Sequence, residues 1–223
     1  MHLWFCATHH IYTVDVSSTA KKTSTPSHSA RVRYLDAGLR VLADQGHAGL
    51  KLATVCEVVG ATTGSFYHAF SNWPAYTSAL IHHWREKESR RPIAEARTVT
   101  DPVARLQFLT DIAMRLPHDT EAAIRVWAEH DPDVRAVQDD ADDERRRFIS
   151  DTYLEVVGNR ADADHYATAA MYLLVGYENG TLRSRETLEW AFQTFIEQAL
   201  RQAGRIAETT TQRKTSPPSI STA

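Results

Sequence analysis

The stretch Gly60-Ala61-Thr62-Thr63-Gly64-Ser65-Phe66-Tyr67-His68-Ala69-Phe70 decides how the chain is read. Gly60 permits a tight turn after a short helix, and Thr62 offers a hydroxyl to the free amides at the start of the next one. Phe66 and Phe70 lie four apart, so one face of the second helix can be buried against Leu35, Leu39 and Val55. The opposite face keeps Thr63, Ser65, Tyr67 and His68, whose donors and acceptors suit phosphates and base edges. Two short helices joined by a glycine-containing turn can deliver the second helix to a major groove. The same polar residues would also suit an ordinary solvated helix face, and periodicity alone does not separate the two.

Working outward, helical periodicity is almost unbroken. Val32, Leu35, Leu39 and Leu42 recur on one face of a first helix, with Ser29 as its cap and Gly46 as its stop. Leu52, Val55, Cys56 and Val59 make the inner stripe of the short second helix. Asn72 caps a longer one with Tyr76, Leu80 and Trp84, which is expected to end before Pro92. Asp101-Pro102 and Asp131-Pro132 each place a capping carboxylate ahead of a first-turn proline. Asp119 is expected to open a helix through Ile124 and Trp127, and Gly158 to close the long one begun at Asp131. Two largely apolar helices follow, one from about Asp162 through Tyr177 and one from Ser184 through Ala199. No alternating strand pattern and no fixed repeat interrupts this. The fold class is therefore all-α: a three-helix helix-turn-helix domain at residues 29–75, then a helical effector-binding and dimerisation domain at 76–206. The Ser/Thr/His-rich residues 1–28 and the Thr/Ser/Pro-rich residues 207–223 read as disordered arms.

A net charge of −3 conceals a division along the chain. Residues 21–91 hold ten basic side chains against five acidic ones, whereas residues 92–223 hold fifteen against twenty-two. A basic first part is compatible with phosphate contact and does not by itself establish it. Arg31 and Arg33, with Lys21 and Lys22 upstream, could follow the DNA backbone or minor groove, or could be solvated. No apolar run approaches the roughly 18 residues of a membrane-spanning helix. Leu3 to Ala7 is too short and poorly flanked for a secretory leader. Cys6 and Cys56 are too few for a disulfide framework, so a cytoplasmic setting is expected.

Residues 31–81 resemble the N-terminal domain of the TetR family of bacterial transcriptional regulators, and the match is carried by the run from Gly60 to Phe70. The resemblance implies a homodimeric, ligand-responsive repressor that releases a palindromic operator when a small molecule binds. It implies that Tyr67 meets a phosphate, that Thr63, Ser65 and His68 face bases, and that Thr62 caps the recognition helix. Two positions depart from the pattern. Lys51 stands where the family has a Ser or Thr cap and could meet a phosphate instead. Trp73 stands where a phosphate-binding lysine is common, so the Asn72-Trp73 corner contacts either the DNA backbone or the domain core. Cys56 reads as a buried, inert thiol.

In the second part the aromatic and Met residues Trp84, Phe108, Met114, Trp127, Tyr153 and Met171, with His130, are candidates for an effector pocket, and each would equally serve as core. The last two helices, about 162–203, are expected to form the dimer surface, a four-helix bundle across the two-fold, unless they close the monomer core. The eleven histidines show no i, i+4 pair and the chain has no Cys-x-x-Cys, so neither metal nor cofactor is expected. An all-helical enzyme or a helical adaptor without DNA binding are the rival readings. The first lacks a nucleophile elbow, phosphate loop or metal signature. The run Asp139, Asp140, Asp142, Asp143 and Glu144 reads as a solvated helix face.

Overall fold

The computed structural model describes the backbone of residues 28–215 and the side chains of residues 28–205. The arms expected at 1–28 and 207–223 fall largely outside that range, although the final helix runs on to Thr215 rather than ending near 206. No strand occurs among the described residues. The order is α1 (His28–Gly49), α2 (Leu52–Val59), α3 (Thr63–Ala69), α4 (Trp73–Arg85), a π-helical turn (Glu86–Arg90), α5 (Arg91–Ala96), α6 (Pro102–Arg115), α7 (His118–Ala128), α8 (Pro132–Val157), α9 (Arg160–Asn179) and α10 (Arg185–Thr215).

Most boundaries follow from capping chemistry. The side chains of Thr62, Asn72, Asp101 and Asp131 all accept amides of the following first turn. Gly60 and Gly158 close α2 and α8 in the left-handed conformation, and Gly46, also at positive φ, breaks the helical path inside α1. Three expectations are corrected. The first helix starts at His28, ahead of Ser29. Asp119 does not cap α7, which starts one residue earlier behind Pro117; as a first-turn carboxylate Asp119 still favours the helix dipole, and it pairs with Arg183. The helix expected from about Asp162 starts at Arg160, with Asn159 as its cap.

A fourth correction concerns Pro92, which does not end the helix begun at Asn72. Proline lacks an amide, so the carbonyl of Glu88, four residues back, loses its ordinary donor. The chain widens into the π turn, where the Arg91 amide reaches the Glu86 carbonyl, and then resumes as α5. The stranded Glu88 carbonyl accepts instead from the Arg145 guanidinium of α8 at 2.9 Å. A kink that reads as a helix end in sequence is thus held by a partner more than fifty residues away.

One buried cluster joins α1, α2, α3 and α4 to α7 and α8, running from Tyr34, Leu39, Leu42 and Phe66 through Tyr76 and Leu80 to Ile124, Trp127 and Ala141. The first half of α4 therefore shares the core of the N-terminal helices, across the boundary expected at 75/76. Two further clusters fill the remainder. One joins Leu106, Tyr153, Val157, Ala163 and Ile196; the other joins Met114, Leu116, Leu174, Leu188 and Phe192.

Gly38 shows how tightly α1 and α4 approach. A Cβ there would sit 2.1 Å from the Tyr76 hydroxyl and 2.9 Å from a Leu80 methyl. That hydroxyl is already fixed, donating to the Tyr34 carbonyl at 3.0 Å. Gly38→Ala should therefore destabilise by about 1–3 kcal/mol through overpacking, although helix propensity alone would favour Ala by about 1 kcal/mol. Urea unfolding reads the sign directly.

Candidate nucleic-acid interface

The α2–turn–α3 unit presents its polar residues as a single exposed surface. In α3, Phe66 is fully buried and touches Tyr34, Phe70, Trp73 and Tyr76, with ring centroids 5.2 to 6.0 Å apart. Phe70 and Ala69 complete the inner face. With that side fixed, helical geometry turns Thr63, Ser65, Tyr67 and His68 outward, and all four are exposed, Tyr67 by 52%. The Tyr67 ring meets Phe66 edge-on at 5.5 Å, which braces it while its hydroxyl stays free of the core. Thr62 accepts the Ser65 amide at 3.2 Å, and the two hydroxyls lie 3.1 Å apart. Thr62, Thr63, Ser65, Tyr67 and His68 are therefore brought together.

The flanks differ. Lys51 has extended backbone and makes no side-chain cap at the start of α2, so its amine remains exposed. Lys51→Ser would supply that cap and is expected to add about 1 kcal/mol of stability, measurable as a higher urea midpoint. Asn72 is committed to the Ala75 amide at 2.8 Å. Trp73 packs at 4.9 Å from Tyr76 and belongs to the core side of the corner. Arg31 and Arg33 are tied to the unit: half-buried Arg31 donates to the Ala69 carbonyl at the end of α3 and lies 4.3 Å over the Phe70 ring. Arg33 donates to the Val59 carbonyl at 3.3 Å. Both brace the unit from α1, a role that a reading of basic arms misses. Cys56 is buried and burial pushes its thiol up, as expected of an inert group.

The seven effector-pocket candidates are not brought together. Trp84 donates to buried Glu121 at 2.8 Å, and Trp127 stacks on His47 at 5.3 Å. His130 is exposed beside the Val126 carbonyl, and Phe108 is half-buried. Tyr153 and Met171 do line a common apolar cleft, with Met114 in the neighbouring cluster.

Trp84 belongs to a buried charge network that joins α4, α7, α8 and α9. Glu121 of α7, 1% exposed, accepts from Trp84 of α4 and from both terminal nitrogens of Arg145 of α8 at 3.0 and 3.2 Å. Arg125 of α7 reaches Asp142 at 2.7 Å and Glu178 of α9 at 3.4 Å, and His118 lies 3.6 Å from Glu178. Burial pushes the Glu178 carboxyl up. The acidic run is split accordingly: Asp139 is exposed, while Asp142 and Glu144 are tied to Arg125 and Arg85. No cluster of metal-ligating side chains occurs among the described residues.

The described residues adopt the fold of TetR-type transcriptional regulators. No family model and no curated protein matches the chain. Among solved structures, a transcriptional regulator from Rhodococcus sp. Rha1 is 21% identical with a TM-score of 0.64, covering 77% of this chain and 96% of its own. A TetR transcription regulator from Haloarcula marismortui is 18% identical with a TM-score of 0.58, covering 81% and 97%. A candidate transcriptional regulator from Saccharomonospora viridis, solved in complex with choline, is 21% identical with a TM-score of 0.64, covering 76% and 96%.

Proposed function

We propose that the chain is a homodimeric transcriptional repressor that acts in the cytoplasm, binds a palindromic duplex operator through α3, and releases it when a small molecule occupies the second domain. The observation that carries this reading is the division of α3: Phe66 and Phe70 anchor one face while Thr63, Ser65, Tyr67 and His68 project from the other. A helix held rigidly on one side and lined with hydrogen-bonding groups on the other is what a major-groove reader needs. Exposed Lys51 at the start of α2 supplies a phosphate contact in this reading, and Thr62, which caps α3, and Asn72, which caps α4, flank α3 near enough for backbone contact. Trp73 is assigned to the core.

Dimerisation is supported by apolar surface on α9 and α10. Tyr172, Trp190 and Leu200 are 74%, 66% and 42% exposed, far more than a closed monomer needs to leave in water. The fold shared with a regulator solved with choline supports a small-molecule effector. No helix among the described residues is long and apolar enough to cross a membrane.

Fluorescence anisotropy with duplexes from the gene's own upstream region tests the reading. Binding should weaken steeply with salt. Tyr67→Phe should lower affinity for every duplex, His68→Ala should change which duplex is preferred, and Lys51→Ala should reduce the salt slope by about one. Absence of salt-dependent binding to any duplex overturns the proposal, and a monomer by sedimentation at micromolar concentration overturns its dimeric form.

A further inference from the structure

A cleft between the π-helical turn, α5, α6, α8, α9 and α10 has a largely apolar wall, with Ser89 at one end and the Tyr153 phenol at the other. Leu109, Ala113, Ile149, Met171 and Leu174 form a wall common to two adjoining lobes of about 60 Å³ and about 50 Å³. The first lobe ends at Glu88, Ser89 and Arg145. The second ends at Tyr153 and Phe192.

The polar end holds one unmet hydrogen-bonding group. Ser89 is 1% exposed, lines the first lobe, and its hydroxyl has no hydrogen-bond partner among the described residues. Buried hydroxyls rarely remain so. Ser89 is inside because the π turn forced by Pro92 shifts the helix register at this point. The neighbouring polar groups are engaged. Arg145 is committed to Glu121 and to the Glu88 carbonyl, and the Thr110 hydroxyl donates to the Leu106 carbonyl at 3.1 Å. Glu88 faces the Lys87 amine at 3.9 Å, and burial pushes its carboxyl up.

We propose that this two-lobed cleft binds a slender, electrically neutral aliphatic molecule with a single hydrogen-bonding end, the chain lying along the shared wall and the polar end at the Ser89 hydroxyl. This deepens the reading above by naming the class of its effector. Charge is excluded by what surrounds the polar end. A carboxylate would lie beside Glu88, and the Arg145 guanidinium at this end already directs three donors to Glu121 and to the Glu88 carbonyl, so the anion would lose more hydration than it regains. An ammonium would have to compete with Lys87 for a carboxyl that burial already disfavours as an anion. Breadth is excluded by the size of the lobes, whereas Met171 at their junction can adjust to a chain of uncertain bend.

The test is isothermal titration of the full chain, without DNA, with 1-octanol, octanoate and octylamine at pH 7.5. Saturable one-to-one binding of 1-octanol, at least tenfold tighter than either charged probe, is expected. Ser89→Ala should weaken 1-octanol about five- to tenfold by removing one hydrogen bond and leave the weak octanoate signal unmoved. Ala113→Leu, which fills the shared wall, should abolish binding while circular dichroism stays unchanged. Tighter octanoate or octylamine binding, no saturable 1-octanol binding, or full retention of 1-octanol affinity in Ser89→Ala each overturns the proposal. Because binding is read without DNA, a chain that takes 1-octanol but ignores every duplex refutes the repressor reading alone. One that binds duplex but refuses 1-octanol refutes this proposal alone.

Discussion

Replacing Arg145 by methionine is expected to destabilise the protein by roughly 3–5 kcal/mol, because it leaves the buried Glu121 carboxylate without its cation. The pair is bidentate, with contacts of 3.0 and 3.2 Å, and Glu121 is 1% exposed. Burial disfavours the Arg145 cation, yet Glu121 and Asp142 outweigh that cost and hold it charged above its ordinary range. After substitution only the Trp84 indole would still donate to Glu121, at 2.8 Å. The Glu88 carbonyl would be orphaned as well, since Arg145 is its donor in the π turn. At roughly 2–4 °C per kcal/mol for a chain of this size, the thermal midpoint should fall on the order of 10 °C. The double variant Arg145→Met/Glu121→Met removes both charges and should recover most of the loss, because well-packed apolar replacements of a buried pair are often neutral or better. A single variant within 1 kcal/mol of the parent, by urea unfolding, would show that water reaches the pair.

This network also marks the limit of what sequence could reveal. Local rules sufficed for Thr62, Asn72, Asp101, Asp131, Gly60 and Gly158, because a cap or a left-handed turn involves residues within three or four positions. The outward face of α3 was legible for the same reason: Phe66 and Phe70 fix which side is buried, and periodicity assigns the rest. Glu121, Arg145 and Glu178 carry no such signal. An acidic or basic residue on an amphipathic helix reads as solvated until its partner on another helix is known. Pro92 failed in the same way, since its proper reading depends on Arg145 filling the carbonyl it strands. Arg31 and Arg33 were read as free cations and are bound to carbonyls of α3 and α2, which depends on how α1 crosses that pair. For the cleft proposed as the effector site, aromatic and Met content pointed to Tyr153 and Met171, which line it, but not to Ser89, whose hydroxyl has no partner among the described residues.

Phe66→Ala should have an effect comparable with that of Arg145→Met and should show how the two halves of the fold are joined. The ring is fully buried at the centre of Tyr34, Phe70, Trp73 and Tyr76, so its removal should cost about 3–5 kcal/mol. Phe66→Leu, which keeps most of the volume, should cost less than half as much. Both leave the exposed residues of α3 chemically intact. Any loss of duplex binding would then come from the support of the helix, and Phe66→Leu should retain binding that Phe66→Ala loses. The core around Phe66 is continuous through Leu80 and Ile124 to Ala141, with Thr120 of α7 donating to the Leu39 carbonyl at 3.3 Å. The destabilisation should therefore appear as one cooperative transition at a lower urea concentration, seen equally by tryptophan fluorescence and circular dichroism. Two separated transitions, with the N-terminal helices melting first, would mean that α7 and α8 support those helices too weakly to unfold with them. Native-state hydrogen exchange would then show the amides of α3 opening well below the global free energy, in the parent as well as the variant.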